Sequence, residues 1–158
     1  MLASFISGCS ANPPAFLDTV PVSYEYSYNN CMAHPVKWYQ VIRSKAGDLE
    51  LKTSEHNDEI LVYNAPEECL EKIGGLAKEH KLWKLKSSYT PPMLVLDGYS
   101  WHLGISYKDD SIWSGGNNAW PDSKLWEGVS SINQYLQGLI DEAGEEGIVR
   151  RESHWDNR

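Results

Sequence analysis

Residues 59–82 read "EILVYNAPEECLEKIGGLAKEHKL", and the change of rhythm inside this stretch decides the fold. Up to Asn64 the run is short, apolar and rich in strand formers. Beyond it, Leu70, Ile73, Leu76 and Ala77 recur at helical spacing. Asn64 reads as a cap and Pro66 as a first-turn residue. Glu67 and Glu68 place negative charge at the positive end of the helix dipole. Gly74 and Gly75 inside the stripe cost about 1 kcal/mol each relative to alanine. Their presence points to a close backbone approach to the sheet, or to a kink.

Upstream of this switch the period is two. "VSYEYSY" (22–28) puts Val22, Tyr24, Tyr26 and Tyr28 on one face and Ser23, Glu25 and Ser27 on the other. "VKWYQVIRS" (36–44) is apolar on both faces, as a central strand should be. "KAGD" (45–48) turns the chain with Gly47 able to take positive φ. "LELKT" (49–53) returns with Leu49 and Leu51 inward, "EHND" (55–58) turns again, and "EILVYN" (59–64) is the fourth strand.

Downstream, 81–96 is an irregular crossing in which Pro91-Pro92 forbids regular structure. Residues 99–108 are the clearest strand, with Trp101, Leu103, Ile105 and Tyr107 on one face and His102, Gly104 and Ser106 on the other. "KDDS" turns into a short return strand, "IWS" (112–114). Asp122 or Ser123 then caps a helix striped by Leu125, Val129, Ile132, Leu136, Leu139 and Ile140. Four strands, a helix, a hairpin and a helix make an α+β protein: an antiparallel β-meander with two amphipathic helices packed on one face, in the order ββββ-α-ββ-α. The alternating βαβ rhythm of a parallel nucleotide-binding fold is missing. The organisation expected is a leader and tether over 1–20, one α+β domain over 21–142, and a charged tail over 143–158 that frays.

The chain of 158 residues is long enough for one domain with a real core. Hydrophobic residues make up 41% and charged residues 23%, which excludes both a disordered and a membrane-spanning chain. No apolar run approaches the roughly 20 residues of a bilayer helix, so no transmembrane segment is expected. A net charge of −8, with no basic block longer than Arg150-Arg151, argues against nucleic acid and for a basic partner, if any. Nine Tyr and seven Trp against two Phe favour half-buried or contacting surfaces, although strands also favour aromatics.

Cys9, Cys31 and Cys69 show no CxxC spacing. Cys31 and Cys69 are either a disulfide or two buried thiols. "FISGCSAN" (5–12) resembles the lipobox of bacterial lipoproteins, which makes Cys9 the candidate lipidation site. The Pro-containing segment after it resembles the usual tether. Eight residues precede Cys9 here, without a basic region, so the segment reads as a truncated signal.

His34, His56, His80, His102 and His154 are never at metal-ligand spacing, and no metal or cofactor is expected. Asp97 and His102 are the candidate acid–base pair, set against an ordinary Asp-Gly strand entry and a polar-face histidine. Gly115-Gly116 lacks the rest of a phosphate loop. It reads instead as a tight exit from an edge strand, with Asn117-Asn118 tolerant of positive φ and Trp120-Pro121 closing the loop.

The block running from Asp97-Gly98 through Trp101 to "SGGNNAWP" (114–121) resembles a recurrent block in small uncharacterised bacterial proteins, several with lipoprotein-type signals. The resemblance extends from about Tyr24 to Leu139. It implies a single α+β domain and an envelope location, and carries no activity. The function expected is therefore a non-enzymatic, envelope-associated binding or accessory domain for a protein or glycan, lipid-anchored at Cys9. Its candidate binding residues are Trp113, Asn117, Asn118 and Trp120. The alternatives are a cytoplasmic acidic inhibitor or immunity-type protein, and a small hydrolase using His102 and Asp97.

Overall fold

The computed structural model describes residues 12–30, 35–55, 58–95 and 97–154. Seven strands form one antiparallel sheet: β1 (Ser23–Asn29), β2 (Pro35–Arg43), β3 (Leu49–Ser54), β4 (Glu59–Asn64), β5 (Ser100–Ser106), β6 (Ser111–Asn117) and β7 (Ile148–Ser153). Their spatial order is β6-β5-β1-β2-β3-β4-β7, so the strand that is apolar on both faces, β2, lies in the middle. The first four strands are a meander whose β2–β3 turn has Gly47 at φ 97°.

Two helices, α1 (Cys69–Glu79) and α2 (Ser123–Ala143), carry the chain back across the sheet. The crossing α2 makes, from β6 at one edge to β7 at the other, sets its length. Six interstrand spacings are about 29 Å, and its 21 residues rise about 31 Å. Both helices lie on one face. Leu70, Ile73 and Ala77 of α1 and Val129, Ile132 and Leu136 of α2 share one core with Tyr24, Tyr26, Tyr39, Val41, Leu51, Trp101, Leu103 and Ile105. Buried tyrosines need a partner for the hydroxyl, and α2 supplies it. Tyr24 Oη donates to Asn133 Oδ1 at 2.6 Å and Tyr39 Oη to Gln137 Oε1 at 2.7 Å. These two bonds, one helical turn apart, fix the helix against β1 and β2.

Four expectations are corrected. The first helix begins at Cys69, five residues after Asn64, because Asn64 still pairs with Glu50 as the end of β4; the position before the helix, Glu68, makes no side-chain cap. Gly74 does serve a close approach, but to Pro21 rather than to the sheet, while nothing crowds Gly75. The return strand of the hairpin runs to Asn117, so Gly115 and Gly116 lie inside β6 instead of in a loop. Finally, residues 148–153 do not fray. They form edge strand β7, paired from Glu59↔Ser153 to Tyr63↔Ile148. Alternation there is masked because its polar side chains serve both sides of an edge. Asp122 caps α2, accepting from the backbone N–H groups of Lys124 and Leu125 at 3.0 Å.

Candidate functional site

The block from Asp97 to Pro121 is first of all a folding knot. Trp101 is fully buried, and its indole N–H donates to the Ala119 carbonyl at 2.9 Å. Gly116 lies directly across from Trp101 in the register, where a side chain would strike both the indole and Ala119. Asn118 takes positive φ (49°), and its side-chain oxygen accepts from the Tyr99 N–H at 2.9 Å while its own N–H donates to the Tyr99 carbonyl. That amide occupies the space a side chain at Gly98 would need. On the outer edge of β6, Tyr89 donates to the Gly115 carbonyl and accepts from the Asn117 N–H, covering part of an otherwise open edge.

The sequence-derived candidates therefore separate. Asn118 is spent on holding the hairpin exit, and the Asn117 backbone on holding Tyr89. Trp120 is 42% exposed, past the end of β6 where the chain turns toward α2 on the helical face. Trp113 is 59% exposed within β6, on the face opposite the helices. Asp97 lines a cleft with Tyr99, Met93 and Leu94, whereas His102 lines the neighbouring groove with Trp113, and Asn117 borders both. No hydrogen bond joins Asp97 to His102, whose ring stands exposed above Gly115. Cys9 and Cys31 lie outside the described residues. Cys69 is a free, buried thiol whose pKa burial pushes up to about 11, against a hydrogen bond from Tyr135 that acts the other way. Among the described residues, no group of three His, Cys, Asp or Glu side chains is placed to hold a metal.

With both helices on one side, the other face of the sheet carries no helix among the described residues. Its two halves differ. Over β3, β4 and β7 it is closed by an ion-pair lattice. Arg150 grips Glu50 through both terminal nitrogens at 3.0 Å and Glu152 through Nε at 2.7 Å. Lys52 reaches Glu152 at 3.1 Å and Glu50 at 3.6 Å. In the register Val62 lies between Lys52 and Arg150, and it is completely buried although no helix among the described residues lies on this face.

Over β6, β5, β1 and β2 the face is open and aromatic. Trp113 pairs with Gly104, and its six-membered ring lies flat over that glycine, 3.2–3.3 Å from where a Cβ would stand. Next in the same cross-strand row is Glu25, paired with Gly104 from the other side. Trp38 on β2 donates its indole N–H to Glu25 Oε1 at 3.1 Å and packs edge-on against His154 at 5.4 Å. The resulting band is Trp113, Glu25, Trp38 and His154. Only Trp113 of this band was marked by the sequence. Glu25 and Trp38 read there as an outward strand carboxylate and a strand aromatic, and only the β1–β2 register brings them together.

No protein-family model matches the chain, and no curated protein matches it significantly. The class that fold and surface define is structural: an antiparallel α+β two-layer protein with one aromatic, helix-free sheet face among its described residues. No helix among those residues is long and apolar enough to cross a membrane.

Proposed function

We propose that the protein is a non-enzymatic binding domain and that the β6-β5-β1-β2 half of the helix-free face is its interface. The observation that carries this reading is Trp113, laid flat over Gly104 with most of its indole in solvent. Glycine inside a strand costs roughly 0.5–1 kcal/mol relative to alanine, and large exposed aromatics are enriched at contact surfaces. Gly104 and Gly115 both sit on this face, and each makes room for a ring: Trp113 over the first, His102 over the second. Aromatic cover of a strand glycine explains the packing; the exposed outer face of the ring is what remains for a partner.

The reading is tested by photo-crosslinking in the native host, with a photoreactive phenylalanine placed at position 113 or 102, or at the helix positions 71 or 134. A discrete adduct from 113 or 102 and none from the helices is expected. Adducts from the helix positions alone would move the interface to the other layer. Presentation at a bacterial envelope rests on the lipobox-like "ISGC" at 6–9. Labelled palmitate incorporated by the native chain and lost in Cys9→Ser is the expected result, and an unlabelled native chain would refute it.

A further inference from the structure

Among the described residues, the open half of the face carries a carboxylate without a cation, Glu25. Lys52 and Arg150, the Lys and Arg side chains described on this face, are both engaged by Glu50 and Glu152 on the far half. No described cation pairs with Glu25, whose partner is the Trp38 indole N–H on one oxygen. Its second oxygen has no hydrogen-bond or ion-pair partner among the described residues, and Glu25 stands exposed in the cross-strand row that Trp113 heads. Trp113 and Glu25 are two strand spacings apart, about 10 Å, and the ring lying over Gly104 fills the near part of that interval.

A planar cation fits such a gap on two counts. A guanidinium stacks on an indole face, and it donates in-plane to a carboxylate. The chain's net charge of −8 adds a long-range attraction for a basic surface. A neutral sugar would use the indole but would leave the carboxylate unneutralised. We infer that Trp113, Glu25 and Trp38 form a receptor for one arginine side chain of a basic protein partner. This rests on the proposed interface and names the chemistry that it recognises.

The test uses the full chain, ¹⁵N-labelled, with the indole N–H signals of Trp38 and Trp113 assigned by Trp38→Phe and Trp113→Phe. The probe is the peptide acetyl-Gly-Arg-Gly-amide, compared with its citrulline counterpart and with a neutral oligosaccharide. The arginine peptide is expected to shift the Trp38 and Trp113 signals in a saturable manner, weakening with salt. Glu25→Gln, which keeps the shape and the indole hydrogen bond, should lower its affinity about fivefold, the scale of an exposed ion pair. Equal shifts from the citrulline peptide, or unchanged affinity in Glu25→Gln, would overturn the assignment. Saturable shifts from the oligosaccharide with none from the arginine peptide would do so too, and would give the indoles to a sugar. Any of these outcomes, with crosslinking at position 113 intact, removes the arginine receptor and leaves the interface standing.

Discussion

Replacing Gly116 by alanine tests whether the Asp97–Pro121 block is a folding knot. The added methyl would stand 2.5 Å from Trp101 Nε1 and closer still to the Ala119 carbonyl oxygen, so one of the two must withdraw. Either movement breaks the 2.9 Å bond between them. A buried indole N–H left without an acceptor costs about 1–3 kcal/mol, and forcing a methyl into a packed interior costs about 1–3 kcal/mol more. The gain from removing a strand glycine returns roughly 0.5–1 kcal/mol. The net expectation is a loss of about 3 kcal/mol, or a drop in Tm of about 6–12 °C for a domain of this size. Urea unfolding followed by far-ultraviolet circular dichroism measures the first quantity, and a thermal scan the second. The Trp101 indole N–H resonance should move as well. If Gly116→Ala unfolds within about 0.5 kcal/mol of the parent, the close packing argued for this hairpin is wrong.

Three further outcomes follow from particular contacts. Gly75→Ala should raise stability by about 1 kcal/mol, since nothing meets the new methyl and the helix gains propensity; Gly74→Ala should lower it, because the methyl would stand 2.7 Å from Pro21. Equal effects from the two, measured by urea unfolding, would contradict the placement of α1. Cys69 should resist alkylation by iodoacetamide at pH 8 in the folded chain and react on unfolding, because burial holds its pKa near 11; peptide mapping that finds Cys69 labelled in the native state would refute this. Burial also raises the phenols of Tyr26, Tyr107 and Tyr135 to about 12, and it raises that of Tyr24 well above its ordinary value. A raised folded-state pKa means that the folded chain holds protons the unfolded chain has lost. The stability these groups contribute is complete below pH 10 and is lost as pH rises from 10 through 12. Absorbance at 295 nm should therefore rise together with loss of circular dichroism, and phenols titrating near pH 10 in an intact fold would contradict it.

Element types were legible in the residues wherever side-chain period and burial coincide. The alternation of Tyr24, Tyr26 and Tyr28, and of Trp101, Leu103 and Ile105, marks strands against one core, because a pleated chain sends successive side chains to opposite faces. The stripe from Val129 to Leu136 marks a helix for the same reason at a different period, and Asp122 marks its start by chemistry local to a few residues. What failed was non-local. β7 carries Arg150 and Glu152 where a core strand would carry apolar residues, because its partners are Glu50 and Lys52, about a hundred residues away along the chain. The glycines of β6 read as a loop because their neighbours, Trp101 and His102, lie across a hairpin. The candidate interface was legible only as far as Trp113. Glu25 and Trp38 join it through strand register, and the lack of helical cover over them among the described residues follows from both crossovers taking the same side of the sheet. Local sequence encodes period and caps; which faces meet, and which face stays open, is decided when the whole chain packs.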